Sequence, residues 1–311
     1  MSRPQCLENT MSLLVTGSIG IDTVSSPYGH ADSVLGGSAV YFSYAASFFV
    51  PVRLVGVVGS DFPDRFRKVL EKRSIDLGGL EIRHGSQTFR WTGRFEGAMN
   101  EAETVEVDLN VLAERGPKVP ESFADSQFVF LANTHPTLQR ELLSQVRAPR
   151  LVICDTMNLW ITTQRESLVE TLRIVDGVIV NDAEARMLTG KTNLIEAGEE
   201  IIKLGPRFVM IKKGEHGATL ITADHAVSVP AYPTKVVHDP TGAGDSFAGG
   251  VLGHLASEGK TDVGTLRQAL VRGTVMASFT IEDFSLWRLE KLNGVEIEER
   301  VDQYVRMLRF D

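Results

Sequence analysis

Cysteine is nearly absent from this 311-residue chain, with Cys6 and Cys154 the only two. Two cannot build a disulfide framework, a cysteine-rich zinc cluster or a CxxC redox pair, and a reducing compartment is expected. The seven histidines (His30, His84, His135, His216, His225, His238 and His254) form no HxxxH or HxH pair, so a histidine metal centre has no support. No apolar run reaches the roughly 18 residues that a spanning helix needs. Basic residues are outnumbered, 32 Lys and Arg against 40 Asp and Glu for a net charge of −8, and they form no long run. Neither duplex nucleic acid nor an anionic membrane is therefore expected as a partner, and small or nucleotide-sized ligands fit better. Residues 1–10 are polar and irregular, without the apolar core of a signal peptide, so a cytoplasmic protein is predicted.

What remains is a composition of 43% hydrophobic and 23% charged residues, which excludes wholesale disorder and leaves length enough for one large core. Short β-branched runs alternate with longer amphipathic segments at residues 13–16, 37–49, 52–58 and 62–72. The rhythm returns in apolar runs at 128–132, 151–154, 177–180 and 208–212, with helical patterns at 137–145, 167–174 and 197–204 between them. Near-continuous apolar strands separated by helices predict a three-layer α/β/α sandwich around a mostly parallel sheet, occupying residues 11–311 as one domain. Two stretches break the rhythm. Residues 81–107 contain period-2 alternation without an intervening helix, which predicts a small antiparallel β lid inserted in the domain. Residues 22–33 leave the first strand and return at Gly36, a second candidate piece. Residues 241–256 and 265–279, rich in Gly, Ala and Val, predict two buried helices. In the tail, 295–310, Val301, Tyr304, Val305 and Leu308 share a face suited to docking.

The segment richest in chemistry is Asp239-Pro240-Thr241-Gly242-Ala243-Gly244-Asp245-Ser246-Phe247-Ala248-Gly249-Gly250. Its glycines permit positive φ and close backbone approach just before a helix, where free N–H groups and the macrodipole make an anion cradle. An aspartate at the mouth of such a cradle is costly beside a phosphate unless it takes a proton from an attacking hydroxyl. The same run could be a Gly-rich turn with Asp245 as N-cap. From the residues alone both readings stand.

That dozen-residue segment resembles the second signature of the ribokinase-like (PfkB) family of carbohydrate and nucleoside kinases. Further elements agree in order: Gly36-Gly37 opening the first helix, Asn181-Asp182-Ala183-Glu184 after a strand, and Lys212-Lys213-Gly214-Glu215-His216-Gly217 before the next. The resemblance spans nearly the whole chain and implies ATP-dependent phosphoryl transfer to a primary hydroxyl of a sugar or nucleoside. It implies that Asp245 is the base and that the N–H groups of Gly242, Ala243 and Gly244 form the anion hole. Asn181 and Glu184 would position Mg²⁺ and phosphate through waters, while Lys212, Gly214 and Gly217 would contact ATP. Asp22 would bind acceptor hydroxyls with Gly36 and Gly37 against the same molecule. Asp239 and Thr241 match positions that help hold a monovalent cation, K⁺, with a loop around 278–285, and lids of this family often form homodimer contacts.

Three departures bear on the acceptor. Tyr41 stands where many members carry Asn; a DxN element is stretched to Asp155-Thr156-Met157-Asn158; and Phe89, Trp91 and Phe95 add aromatic mass to the expected lid. If Phe89, Trp91 and Phe95 project from one face they favour a stacked nucleoside over a hexose or pentose; they could equally fill the lid's own core or a dimer contact. Two motifs are decoys. Gly190-Lys191-Thr192 imitates the end of a P-loop, but Ala185 stands where the leading glycine is required. A Ser246 hydrolase would need a later histidine, and only His254 follows, in the same helix. A nucleotide- or sugar-binding sensor without turnover is the remaining alternative.

Overall fold

The structure is a computed structural model and describes residues 11–309. Cys6, the polar stretch 1–10 and the last two residues, Phe310 and Asp311, lie outside the described residues. Strand β1 (Leu13–Thr16) is buried along its whole length. Leu13 and Val15 enter one core and Leu14 a second, because side chains alternate across a strand. A continuous apolar run thus serves two layers at once.

The chain continues through β2 (Gly20–Ser26), β3 (Gly29–Gly36), α1 (Ser38–Ala46), β4 (Val52–Gly59) and α2 (Asp64–Glu71). Strands β5 (Ile75–Arg83), β6 (Phe89–Phe95), β7 (Ala102–Asp108) and β8 (Phe128–Leu131) follow, then α3 (Pro136–Leu143) and β9 (Leu151–Asp155). Helices α4 (Asn158–Thr163) and α5 (Arg165–Leu172), β10 (Gly177–Asn181), α6 (Asp182–Thr189) and α7 (Leu194–Lys203) precede β11 (Phe208–Lys212). The hairpin β12 (Ala218–Thr222) and β13 (Ala226–Val229) leads to α8 (Ala243–Glu258), α9 (Val263–Thr280), α10 (Trp287–Glu290) and α11 (Gly294–Met307).

Nine strands form the large sheet in the order β13-β12-β11-β10-β9-β8-β1-β4-β5. The seven strands from β5 to β11 in that row run parallel, and the β11–β12 and β12–β13 pairs are antiparallel. One face packs against α1, α8, α9 and α11, with Phe42 of α1 stacked on Phe130 of β8 at 4.4 Å. The other packs against α3, α5, α6 and α7. This is the three-layer sandwich expected from the sequence. Val301 and Tyr304 seat the tail helix on the first core, as their spacing predicts.

A second sheet of four strands has the order β3-β2-β6-β7. Its make-up differs from the inserted lid read over 81–107 in two ways. Glu81–Arg83 belong to β5 of the large sheet, and half of the small sheet comes from 20–36, which pairs in parallel with β6. A hairpin separated from its partner by more than fifty residues of chain leaves no local signal of that pairing. The small sheet has its own core of Val24, Ala31, Val34, Phe95, Met99 and Phe284.

Candidate active site

Strands β1, β8, β9, β10 and β11 end at one edge of the large sheet, and the strand order reverses between β1 and β8. Open α/β sheets bind ligands outside the carboxyl ends of their strands at such a switch point. Three of those strands finish on chemistry: β9 on Asp155, β10 on Asn181 and β11 on Lys212.

The amino end of α8 opens onto the same edge. Gly242 is its N-cap, at φ +74, and makes no side-chain cap. A Cβ there would collide with the ring of Tyr41, so glycine is required for conformation and for space alike. Asp245 lies inside the first turn and is not the N-cap, which removes the capping reading. The Ala243 N–H closes a turn on the Pro240 carbonyl at 3.1 Å. The N–H groups of Gly242 and Gly244 meet no carbonyl among the described residues, leaving two donors of the expected three unengaged. Lys212 Nζ lies 2.6 Å from where a Cβ on Gly244 would stand, so the ammonium caps the cradle.

Acidic groups gather around this point. Burial pushes the Asp245 carboxyl up to about 6, against the pull of Lys212 and with a further push from Glu184. Asp155, fully desolvated and facing Asp245, is raised well above the usual carboxylate range, and its Oδ1 is buried without a partner. Glu184 is raised by burial; one of its oxygens accepts the Asn181 N–H at 2.7 Å while Asn181 Oδ1 accepts the Glu184 N–H at 2.7 Å. This reciprocal capping box starts α6 and leaves the second Glu184 oxygen unused by the cap.

Asp22 is buried and pushed up to about 8, by desolvation first and then by the charges of Asp239 and Asp245. Its carboxylate lies against Gly36, where a Cβ would collide with it, and Gly37, at φ +103, must be glycine because a Cβ there would strike the Ser18 backbone. Asp239 is fully buried and accepts N–H groups from Thr241 at 2.8 Å and Ser285 at 3.4 Å. The Thr241 and Tyr41 hydroxyls are both buried without a partner. Tyr41 is 1% exposed and its hydroxyl proton is held tightly by burial and by Asp239, Asp22 and Asp245.

A cavity of 580 Å³ adjoins the cradle. Asn181, Lys212, Gly214, Gly217 and Gly244 line it together with Tyr232, Val237, Phe247, Ala277 and Ile281. Such a volume, lined by charged, polar and apolar groups, suits a nucleotide.

The aromatic residues divide. Phe95 is buried in the small sheet's core, and Trp91, half-buried, packs against the same core. Phe89 lies across Gly20, and Trp91 folds over Gly93 with Nε1 donating to Thr104 Oγ1 at 3.2 Å. In the β2–β6 register Phe89 pairs with Gly20 and Trp91 with Asp22, so both rings flank the Asp22 face. Ser246 is fully buried, its hydroxyl without a partner, and His254 faces Gln268 at 3.4 Å, which leaves no hydrolase pair. Gly190 is the left-handed cap of α6, at φ +72. Asn158 opens α4 and is exposed.

Sequence reading missed Ala98, Met99 and Asn100, which line the cavity from the β6–β7 turn. The loop around 278–285 was expected only as a source of backbone carbonyls for a cation, whereas the side chains of Phe284 and Ser285 join the small sheet's core and the Leu35 carbonyl (2.6 Å). No motif marks such contacts, which depend on how two sheets meet.

An open cradle at a sheet's carboxyl edge, a half-buried carboxylate beside it and a nucleotide-sized cavity are the parts a small-molecule phosphotransferase needs. The pfkB family carbohydrate kinase model matches residues 29–286, and the chain belongs to that family. It is a carbohydrate or nucleoside kinase. A cytidine kinase of Thermococcus kodakarensis is 28% identical over 250 residues, covering 78% of this chain and 87% of that protein. Among solved structures, the Burkholderia thailandensis nucleoside kinase bound to inosine superposes with a TM-score of 0.74 at 20% identity, covering 94% of this chain and 98% of that one. The Salmonella enterica aminoimidazole riboside kinase, bound to its riboside and an ATP analogue, gives 0.76 at 18% identity and covers 93% and 99%. Those two share the fold. Among the described residues, no helix is long and apolar enough to cross a membrane.

Proposed function

We propose that this protein transfers the γ-phosphoryl group of ATP to a primary hydroxyl of a nucleoside, with free sugars as the second acceptor class. The carrying observation is the half-buried Asp245 carboxylate in the first turn of α8, beside the open N–H groups of Gly242 and Gly244. Asp245 takes the proton as the acceptor oxygen bonds to phosphorus; the bond from phosphorus to the bridging oxygen breaks, and ADP leaves with that electron pair. The two N–H groups and the Lys212 ammonium face the charge spread over the transferring group. Asp22, Gly36 and Gly37 support an acceptor seat, with Tyr41 closing its floor and Phe89 and Trp91 on the same face of β2–β6.

The donor would lie in the 580 Å³ cavity, its phosphates toward Asn181, Lys212 and Gly244 and its base toward Tyr232 and Ile281. Mg²⁺ bound with the donor would neutralise phosphate charge. The unpartnered Asp155 Oδ1 and the unused Glu184 oxygen fit that role, since Mg²⁺ retains waters and needs only one or two carboxylates. Among the described residues no cluster of three ligating side chains is preformed. K⁺ would suit Asp239, a buried carboxylate whose hydrogen bonds come from backbone, beside the unpartnered Thr241 hydroxyl and the carbonyls of 278–285. Exposed Val105 and Val107 on edge strand β7 favour a homodimer through the small sheet.

The resemblance to cytidine and riboside kinases favours nucleosides, as does the aromatic pair beside Asp22. kcat/KM compared across a nucleoside panel and a free-sugar panel with ATP tests this. A nucleoside preference of tenfold or more is expected; a tenfold preference for a free sugar would reverse the acceptor assignment and leave the kinase assignment standing.

A further inference from the structure

The turn joining β6 to β7 reaches from the small sheet across to the donor cavity, where Ala98, Met99 and Asn100 complete one wall. The turn is anchored at its base. Phe95 and Met99 are both buried in the small core with Val24, Val34 and Phe284, and the Met99 N–H closes on the Glu96 carbonyl at 3.2 Å. Met99 adopts φ +62, a backbone that an unbranched residue other than glycine seldom takes, and tertiary packing holds it there. The result turns the next residue outward. Asn100 is exposed, and its Oδ1 lies 2.9 Å from where a Cβ on Gly214 would stand, at the rim of the cavity.

We propose that Asn100 contacts the donor nucleotide and that the β6–β7 turn is a donor-side latch of the small sheet. This rests on the phosphoryl-transfer reading above. A carboxamide offers a donor and an acceptor together, matched to a ribose hydroxyl pair or a heterocycle edge, while Ala98 and Met99 give apolar contact. Asp22 stands on the same four-stranded body, in β2, at register with Trp91 of β6. A nucleotide that holds the turn down therefore orders the strands of the acceptor seat, and by linkage an acceptor raises donor affinity equally.

The test uses the full chain with ADP and the non-hydrolysable β,γ-imido analogue of ATP as probes. Calorimetry gives the Kd, and hydrogen exchange follows residues 20–36, which do not line the donor cavity. In the wild type nucleotide should slow exchange over 20–36. Asn100→Ala, on an exposed side chain, should keep the melting temperature, raise Kd by about fivefold, the scale of one lost hydrogen bond, and abolish that slowing. Unchanged Kd in Asn100→Ala, or no slowing in the wild type despite nucleotide binding, overturns the latch alone. Failure of the wild type to bind either probe overturns the donor-site reading and the latch with it.

Discussion

Asp245 is a carboxylate placed where a phosphate should bind, and desolvation holds its proton to about pH 6. A base must be ionised to work, so turnover should rise with pH through about 6 and then level off. Asp245→Asn should bind nucleotide normally and lose about 10²-fold or more in kcat, the scale of a missing general base, as steady-state kinetics would show. Asp22 makes a different prediction. Its folded value of about 8 exceeds the unfolded 3.8, so the native state keeps a proton that the unfolded chain releases. Stability without ligands should fall as pH rises across that window. Thermal melts should therefore find Asp22→Asn equal to the wild type near pH 4 and a few degrees more stable near pH 8. Equal midpoints at both pH values would contradict the burial of that carboxylate. Asp245, Gly242 and Gly244 were legible in the sequence because glycine freedom, a helix start and an acid fall within a few consecutive residues. Tyr41 was legible only as a departure. Its seat beneath Gly242 depends on α1 crossing α8, where Ala45 Cβ lies 2.8 Å from where a Cβ on Gly249 would stand, and no single segment encodes that crossing.

At the scale of elements, the loop after α9 ties the small sheet to the amino end of α8. Ser285 donates to Leu35 at the root of β3 and, through its backbone, to Asp239; Ser26 donates to the His238 carbonyl at 2.7 Å. Phe284 is buried in the small core from that same loop. Phe284→Ala should cost about 3–5 kcal/mol locally, the usual loss for a buried phenylalanine. Hydrogen exchange should quicken over 20–36 and 89–108 and stay unchanged in β8 to β11; uniform loosening would contradict a separate small core. A cation held by Asp239 and Thr241 would stiffen the turn that carries Gly242, so activity should be higher in K⁺ than in a large organic cation at matched ionic strength. Equal rates would remove the cation from the account. The central strands could be read from the sequence because burial on both faces makes them continuously apolar. The small sheet could be read only in part: β7 is exposed at every position, its register against β6 slips at Val105, and Phe95 and Trp91 pack on the small sheet's own core, a contact that alternation alone does not separate from a ligand face.

The molecule as a whole joins a large sheet whose strands end on Asp155, Asn181 and Lys212 to a small sheet that carries Asp22. In the proposed reading neither sheet holds acceptor and donor alone, and an acceptor seat divided between two sheets leaves the substrate class less legible than the reaction. We propose that the hydroxyl of a bound acceptor, deprotonated by Asp245, receives phosphate at the cradle of α8. Transfer of radiolabelled γ-phosphate from ATP to a mixed panel of nucleosides and sugars, run in parallel with the wild type and Asp245→Asn, tests this most directly. Label in an acid-stable phosphate monoester is expected for the wild type, with a loss of about 10²-fold or more for the variant. Equal labelling by both proteins, or hydrolysis of ATP with no label in any acceptor, would contradict it.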